Sequence, residues 1–356
     1  MRKIKAVVID DSAFMRKSLS IMLESSGEIE VIGTARDGLE GYNLVKSSMP
    51  DIVTLDIEMP KMDGLTALQK IMKDCPVPVI MVSSLTTEGA DSTLKAMELG
   101  AVDFIPKELS FVNVNIIKIK KDLVRKVKEI VKQRSLTERL KRLRSISSKS
   151  STKTSYTEHD NKPLSKIYYK AIALGISTGG PMSLQKVIPL LKKEMTVPMF
   201  IVQHMPPKFT KSLADRLNGM SNVEVHEAEN NEVVKNGSVY IAPGGYHMTI
   251  KKTSMSQVLI NISEEPSTTL HRPCVDVMMS SVVEIFGKST LGIIMTGMGK
   301  DGFEAVKEIK NLGGHAIAQD EESCVVYGMP KAIVDGGFAD LVLPLEKIAD
   351  QINKLV

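Results

Sequence analysis

A chain of 356 residues is long enough for two domains, and its 43% hydrophobic and 25% charged residues exclude a disordered or fibrous protein. No apolar run approaches the ~18 residues of a membrane span, and the apolar stretch behind Met1-Arg2-Lys3 stops at Asp10-Asp11, too short for an export signal. A net charge of +4 and three widely spaced cysteines (Cys75, Cys274, Cys324) with no CxxC pair predict a cytoplasmic protein with free thiols, without disulfide framework or structural zinc.

Residues 1 to about 108 alternate β-branched runs (Lys5–Asp10, Val31–Ala35, Ile52–Asp56, Val77–Ser83, Ala101–Lys107) with helical patterns such as Met15, Leu19, Met22 and Leu23. Near-continuous apolar strands between helices predict a doubly wound α/β fold with five parallel strands covered on both faces. A last helix is predicted from about 110 to 134. Residues 118–153 then carry fourteen Lys/Arg against three acids, which leaves the rest of the chain net acidic. A nucleic-acid binder that is basic throughout is thereby excluded, and the absence of Trp removes the stacking platform of a single-strand binder. Residues 135–166, rich in Ser, Thr and Lys, read as a linker that is helical at its start and then flexible. The basic stretch reads as a solvated helix and linker, or as a tether towards acidic protein or membrane surfaces.

A second α/β pattern opens at Tyr168, with strand-like runs Lys170–Ile176, Met199–Gln203, Val239–Ala242, Met248–Lys251, Val258–Ile262, Leu291–Met295, His315–Gln319 and Ala339–Val342. The third, fourth and fifth of these, with Pro-Gly-Gly between the first two, are expected to form an antiparallel insertion. The organisation that results is 1–120, a connecting segment 121–166, and 167–356.

In a parallel sheet, ligand sites form at the carboxyl ends of the strands. Asp10 and Asp11 end the first strand, Asp56 the third, Ser83 the fourth and Lys107 the fifth. Carboxylates converging on one rim repel each other unless a hard cation lies among them, and an oxygen-rich set of this kind suits Mg²⁺. One carboxylate can then take up a phosphoryl group, with the Lys107 ammonium stabilising its charge. With these residues, 1–120 resembles a two-component receiver domain. The resemblance implies that Asp56, in Leu55-Asp56-Ile57-Glu58-Met59-Pro60, is the phosphoacceptor, that Asp10, Asp11, Asp56 and the Glu58 backbone carbonyl hold the metal, and that Ser83 and Phe104 are switch residues. The order Pro106-Lys107 departs from the Lys-Pro common in receivers and keeps the lysine charge.

The second cluster opens with Gly175-Ile176-Ser177-Thr178-Gly179-Gly180, a strand-to-helix turn that can present a nucleophilic Ser or cradle an anion. His204 and Asp301 each follow a further apolar strand, so Ser, His and Asp can converge as nucleophile, base and orienting carboxylate. Their order along the chain differs from that of the α/β-hydrolases. The motifs GISTGG, QHMPPKFT, YIAPGGYHM, HRPCVDVMM, MTGMGKDG and YGMPKA together resemble the chemotaxis response-regulator protein-glutamate methylesterases.

That resemblance implies a three-layer α/β/α domain over 167–356 with a mainly parallel sheet and an antiparallel hairpin. It also implies a Ser177–His204–Asp301 triad, with Thr178 and Met298 near the oxyanion site. The implied substrate is methylated glutamate of chemoreceptors, with glutamine deamidation alongside, and the implied phosphodonor is the chemotaxis sensor histidine kinase. Mg²⁺ serves phosphorylation and no cofactor serves hydrolysis. A receiver-controlled, non-catalytic binding module is the alternative. With both sites in one chain, the unphosphorylated receiver is expected to restrain the hydrolase.

Overall fold

β-branched side chains suit a pleated sheet packed on both faces, and the apolar runs of the first half become such strands. The computed structural model describes residues 2–107, 115–147, 167–253, 255 and 257–356, the backbone alone for 115–118 and 137–147. Its first half contains β1 (Ile4–Ile9), β2 (Ile29–Ala35), β3 (Ile52–Asp56), β4 (Val79–Ser83) and β5 (Asp103–Pro106). They form one parallel sheet in the order β2-β1-β3-β4-β5, the expected doubly wound arrangement. Every residue of β3 and β4 is buried, so both faces are covered.

The helices α1 (Ala13–Glu24), α2 (Gly38–Ser48), α3 (Gly64–Asp74) and α4 (Thr87–Glu98) each begin with a side chain that accepts from the first turn, from Ser12, Asp37, Asp63 and Thr86 respectively. The pairs Ile9–Leu55, Asp56–Val82 and Ser83–Pro106 bring the carboxyl ends of β1, β3, β4 and β5 level. The helix α5 spans Asn115–Ser147, so the predicted helix and the helical start of the connecting segment form one element. Residues 135–147 contain no Gly or Pro and include three Leu and three Arg, which propagate a helix. Leu123, Val127 and Ile130 bury its apolar stripe, and Lys126 pairs with Asp103 at 3.0 Å. The predicted helix start at 110–114 and the predicted linker residues 148–166 lie outside the described residues.

Contacts divide the chain into two units, Met1–Glu138 and Arg139–Val356. The second contains β6 (Ala171–Ile176), α6 (Gly180–Val187), β7 (Met199–Gln203), α7 (Phe209–Met220), β8 (Glu224–Glu227), β9 (Ser238–Ile241), β10 (His247–Lys252) and β11 (Val258–Ser263). It continues with α8 (Val275–Phe286), β12 (Thr290–Ile294), α9 (Phe303–Asn311), β13 (His315–Gln319), α10 (Met329–Asp335), β14 (Leu341–Leu343) and α11 (Leu345–Leu355). Seven parallel strands lie in the order β14-β13-β12-β6-β7-β9-β8, and β10 and β11 form a separate antiparallel hairpin.

This corrects one expectation: β9 is no part of the antiparallel insertion. Its four residues are all buried and pair in parallel with β7 and β8, while the turn 243–245 carries the chain out of the sheet into the hairpin. Strand β8 was not predicted, because Glu-Val-His-Glu at a sheet edge offers only one apolar residue to a pattern search. Phe200 and Tyr240, both fully buried, stack across β7 and β9 with centroids 5.6 Å apart. Burying a side chain of that size contributes about 1.5–3 kcal/mol.

From β6 the chain moves to β7 on one side and later returns to β12 on the other. The carboxyl ends of these three central strands therefore surround a topological switch point, where open α/β sheets bind ligands.

A pH effect follows from the same core. Burial lowers the pKa of His315, whose Nδ1 lies 2.6 Å from the Tyr169 hydroxyl. With its folded pKa below the unfolded value near 6.5, His315 adds stability at neutral pH that is lost as pH falls through the lowered folded value. Compared with a His315→Gln variant, which cannot take up that proton, the parent chain is expected to lose stability between pH 7 and 5. Urea denaturation of both at each pH measures the difference, and parallel curves would refute it.

Candidate active site

Ser177 stands where β6 ends and the chain turns into α6. Gly179 has φ of 77°, in the left-handed region, and a Cβ on Gly180 would lie 1.7 Å from Gln203 Oε1. This close approach lets the Gln203 amide donate to the carbonyls of Ser177 (3.1 Å) and His204 (3.2 Å), which ties the ends of β6 and β7 together. The Ser177 N–H donates to the Thr296 carbonyl beside β12 (2.9 Å). Gly297 adjoins Ser177 so closely that a Cβ there would lie 2.9 Å from the Ser177 Cβ, which sets the Gly297-Met298 segment against the serine. Thr178 and Met298 are buried around the half-buried Ser177.

His204 follows β7. Its Nδ1 lies 3.2 Å from Ser177 Oγ and its Nε2 lies 2.8 Å from Asp301 Oδ2. Asp301 follows β12, and its Oδ2 also accepts from the Val275 N–H (2.8 Å). Its Oδ1 accepts from the Asp276 N–H (3.0 Å) and the Cys274 thiol (3.2 Å), so the carboxylate sits at the start of α8. Burial alone would raise the Asp301 pKa. The His204 hydrogen bond and charge, with the Asp276 and Val275 N–H groups, instead hold it well below the usual carboxylate range.

An ionised Asp301 favours the tautomer with its proton on Nε2, which leaves the Nδ1 lone pair facing the Ser177 hydroxyl. Such an arrangement can deprotonate an alcohol as it attacks a carbonyl. The His271 ring stacks on His204 with centroids 4.3 Å apart.

In the first unit, Asp10, Asp11 and Asp56 each present a carboxylate oxygen within 4.8 Å of the others. Lys107 Nζ lies 2.5 Å from Asp56 Oδ2 and 3.8 Å from Asp10 Oδ2. Asp10 Oδ2 is buried without a hydrogen-bond partner, and burial, followed by the Asp56 charge, pushes the Asp10 pKa up to about 6. Burial also raises Asp56, although the Lys107 hydrogen bond opposes it. An all-oxygen cluster with an orphaned carboxylate oxygen fits Mg²⁺.

Glu58 N–H donates to Asp56 Oδ1 (3.3 Å), which holds the Glu58 backbone beside this cluster. The buried Ser83 hydroxyl donates to the Gly89 carbonyl (3.1 Å), and the buried Phe104 ring lies under Lys126 Nζ, 5.9 Å from its centroid. Asp10, Asp11, Asp56 and Lys107 thus meet, while Ser83 and Phe104 are engaged with α4 and α5.

Gly64 opens α3 directly beneath this cluster, and a Cβ there would lie 1.9 Å from the Asp56 carbonyl oxygen. Gly64→Ala is expected to destabilise the first unit by about 1–3 kcal/mol, as overpacking does. It should also impair phosphoryl uptake, read by urea denaturation and by labelling with a small phosphodonor. An unchanged unfolding midpoint would contradict this.

Residues 172–352 match the CheB methylesterase family model, and residues 6–116 match the response regulator receiver domain. The chain belongs to the CheB methylesterase family. It is 46% identical over 355 residues to the protein-glutamate methylesterase/protein-glutamine glutaminase of Pyrococcus horikoshii, an alignment covering 100% of this chain and 94% of that one. With protein-glutamate methylesterase/protein-glutamine glutaminase 1 of Oleidesulfovibrio alaskensis, it shares 47% identity over 367 residues, 99% of both chains. The crystal structure of the Thermotoga maritima CheB methylesterase catalytic domain superposes with a TM-score of 0.51 at 45% identity, over 53% of this chain and all of that one.

Among the described residues, no helix is long and apolar enough to cross a membrane. Sequence reading assigned no role to Gln203, Cys274, Val275 or Asp276, although all four hold the Ser177, His204 or Asp301 segments in place. The signal available was the HRPCVDVMM motif, in which a polar stretch turns abruptly into the apolar α8.

Proposed function

We propose that this chain is a phosphorylation-controlled protein-glutamate methylesterase and protein-glutamine deamidase of chemotaxis. In this reading 1–120 is the receiver, 121–166 the connecting segment and 167–356 the hydrolase. The observation that carries it is the hydrogen-bonded line from Ser177 Oγ through His204 to Asp301 at the switch point of the parallel sheet. The likeness to methylesterase/glutaminase relatives over the full chain supports it, and nothing favours the non-catalytic module.

Ser177 Oγ attacks the ester carbonyl of a methylated receptor glutamate while His204 Nδ1 takes the hydroxyl proton. The family resemblance implies the backbone N–H groups of Thr178 and Met298 as the oxyanion donors; both residues adjoin Ser177, whose own N–H is taken by the Thr296 carbonyl. One donor of this kind contributes about 10²–10³ in rate. Collapse of the tetrahedral adduct breaks the C–OCH₃ bond, and the Nδ1–H protonates the departing oxygen, giving methanol and an acyl-Ser177. Water, deprotonated by Nδ1, then attacks the acyl carbon and releases the glutamate carboxylate and free Ser177. With glutamine the leaving group is ammonia, protonated in the same way.

In the receiver, Asp56 accepts a phosphoryl group from the chemotaxis histidine kinase or a small phosphodonor. Asp10, Asp11, Asp56 and the Glu58 carbonyl would hold Mg²⁺, which when bound neutralises charge on the transferring group. Lys107 adds a fixed ammonium at Asp56, and Ser83 and Phe104 are the residues whose present engagements phosphorylation would exchange. The partners on this reading are methyl-accepting receptors and the sensor kinase in the cytoplasm, with no nucleic acid.

Methanol release from methylated receptor, with and without a small phosphodonor and Mg²⁺, tests the whole proposal. Release that rises with phosphodonor is expected, and no release under either condition refutes it.

A further inference from the structure

Asp301 rides on a turn closed by a single hydrogen bond, from the Phe303 N–H to the Lys300 carbonyl (3.0 Å). It precedes Gly302, whose φ of 94° marks a sharp reversal into α9, and the α9 N-cap supplies no side-chain hydrogen bond. The α8 N-cap, Cys274, supplies none either. Each helix is served instead by an acid of the other. Asp301 accepts the Val275 and Asp276 N–H groups that open α8, and Asp276 Oδ1 accepts the Ala305 N–H in the first turn of α9 (2.9 Å). The two carboxyls lock the two helix starts reciprocally, and each draws on orphan N–H donors and the positive end of a helix dipole.

Glycines make this approach feasible. A Cβ on Gly302 would lie 2.8 Å from Val275 Cγ1, and one on Gly175 would lie 2.3 Å from the same atom. The start of α8 is thereby seated directly on the β6 end and on the Asp301 turn. Burial, with the Asp301 charge beside it, pushes the Asp276 carboxyl up to about 6, so the acid is kept here against an electrostatic cost.

We infer that Asp276 is a positioning residue for hydrolysis: by capping α9 it fixes the turn that aims Asp301 at His204 Nε2. The inference rests on the triad reading above. Asp276 touches neither His204 nor Ser177 in this arrangement and acts only through Asp301. A misplacement of about 1 Å far from the chemistry can cost about 10²-fold in rate, so a lost cap is expected to register in kcat and not in receptor binding.

The test is methanol release by the full chain from methylated receptor, with kcat and KM determined separately for the parent, Asp276→Asn, Asp276→Ala and Ser177→Ala. Asp276→Asn keeps an oxygen acceptor for the Ala305 N–H and is expected to stay within about threefold of the parent in kcat. Asp276→Ala is expected to lose about tenfold or more in kcat with KM unchanged. If Asp276→Ala does not fold, Asp276→Ser, whose hydroxyl is one bond too short to reach Ala305, is judged by the same criterion. An Ala or Ser variant within threefold of the parent, an effect confined to KM, or an Asn variant as impaired as Ala overturns the inference. A Ser177→Ala chain that still releases methanol would instead overturn the triad reading itself, so the two failures are distinguishable.

Discussion

Ser177→Ala is expected to reduce methanol release from methylated receptor by about 10,000-fold or more while leaving the unfolding midpoint nearly unchanged. Only a hydroxyl is removed, and the contacts that shape the Ser177 turn are made by its backbone: the N–H to Thr296 and the carbonyl to Gln203. His204→Ala should be comparably inactive. The double variant should be little worse than either alone, because groups that act as one unit do not lose activity additively.

Asp301 differs from these two, since it also caps α8. Asp301→Ala should lose activity and about 1–2 kcal/mol of stability, the usual cost of a lost cap. Asp301→Asn keeps one oxygen for the Asp276 N–H but turns its NH2 towards the Val275 N–H and His204 Nε2, which favours the His204 tautomer that cannot accept the Ser177 proton, so kcat should fall sharply while stability falls less than in Asp301→Ala. Methanol assays paired with urea denaturation decide between these outcomes. Strictly additive losses for Ser177→Ala and His204→Ala would show that the two side chains do not share a mechanism.

Asp56→Ala is expected to leave basal methanol release in place and to abolish its rise with phosphodonor. A typical coupling free energy of 1–3 kcal/mol corresponds to about 5- to 150-fold activation, and the variant should lose all of it. Removing this acid should not destabilise the receiver in the way a core truncation does. Asp56 is buried beside Asp10, and its loss relieves repulsion that keeps the Asp10 pKa high. Lys107→Ala should act on the same response through a different loss, since it leaves Asp10 and Asp56 without the ammonium that faces both.

Chelation of Mg²⁺ should reproduce the Asp56→Ala behaviour in the parent chain, with no effect on basal hydrolysis. The measurement is initial methanol release with and without phosphodonor for the three proteins, with EDTA as a further arm. An Asp56→Ala chain that still responds to phosphodonor would move the phosphoacceptor elsewhere.

Much of this molecule was legible in the order of its residues. Apolar runs of about five residues ending in Asp, Ser or Lys, separated by helical patterns, admit few folds besides a doubly wound sheet. Because parallel strands all finish at the same edge, the sequence alone groups the strand-end residues Asp10, Asp56, Ser83 and Lys107. The same reasoning selects Ser177 and His204, each the first residue beyond its strand, and Asp301, seven residues beyond β12.

What the sequence could not determine is whatever depends on strand neighbours and on close approach. Strand β9 lies far along the chain from β7 and reads locally like part of a hairpin. Only its seat between β7 and β8 makes it parallel, because a wholly buried strand is stabilised by the sheet around it and not by its own propensity. The helix α5 shows the converse: residues 135–147 contain no Gly or Pro, and local propensity made their helical start legible in the sequence.

The hold on Asp301 is the clearest case. Val275, Asp276 and Ala305 are separated from one another or from Asp301 by as many as some thirty residues of chain, and no pattern in a linear sequence shows that two helix starts lend each other their caps. That arrangement exists only once α8 and α9 pack at the switch point, where glycines at 175 and 302 let Val275 come close enough for orphan N–H groups to find the carboxylates.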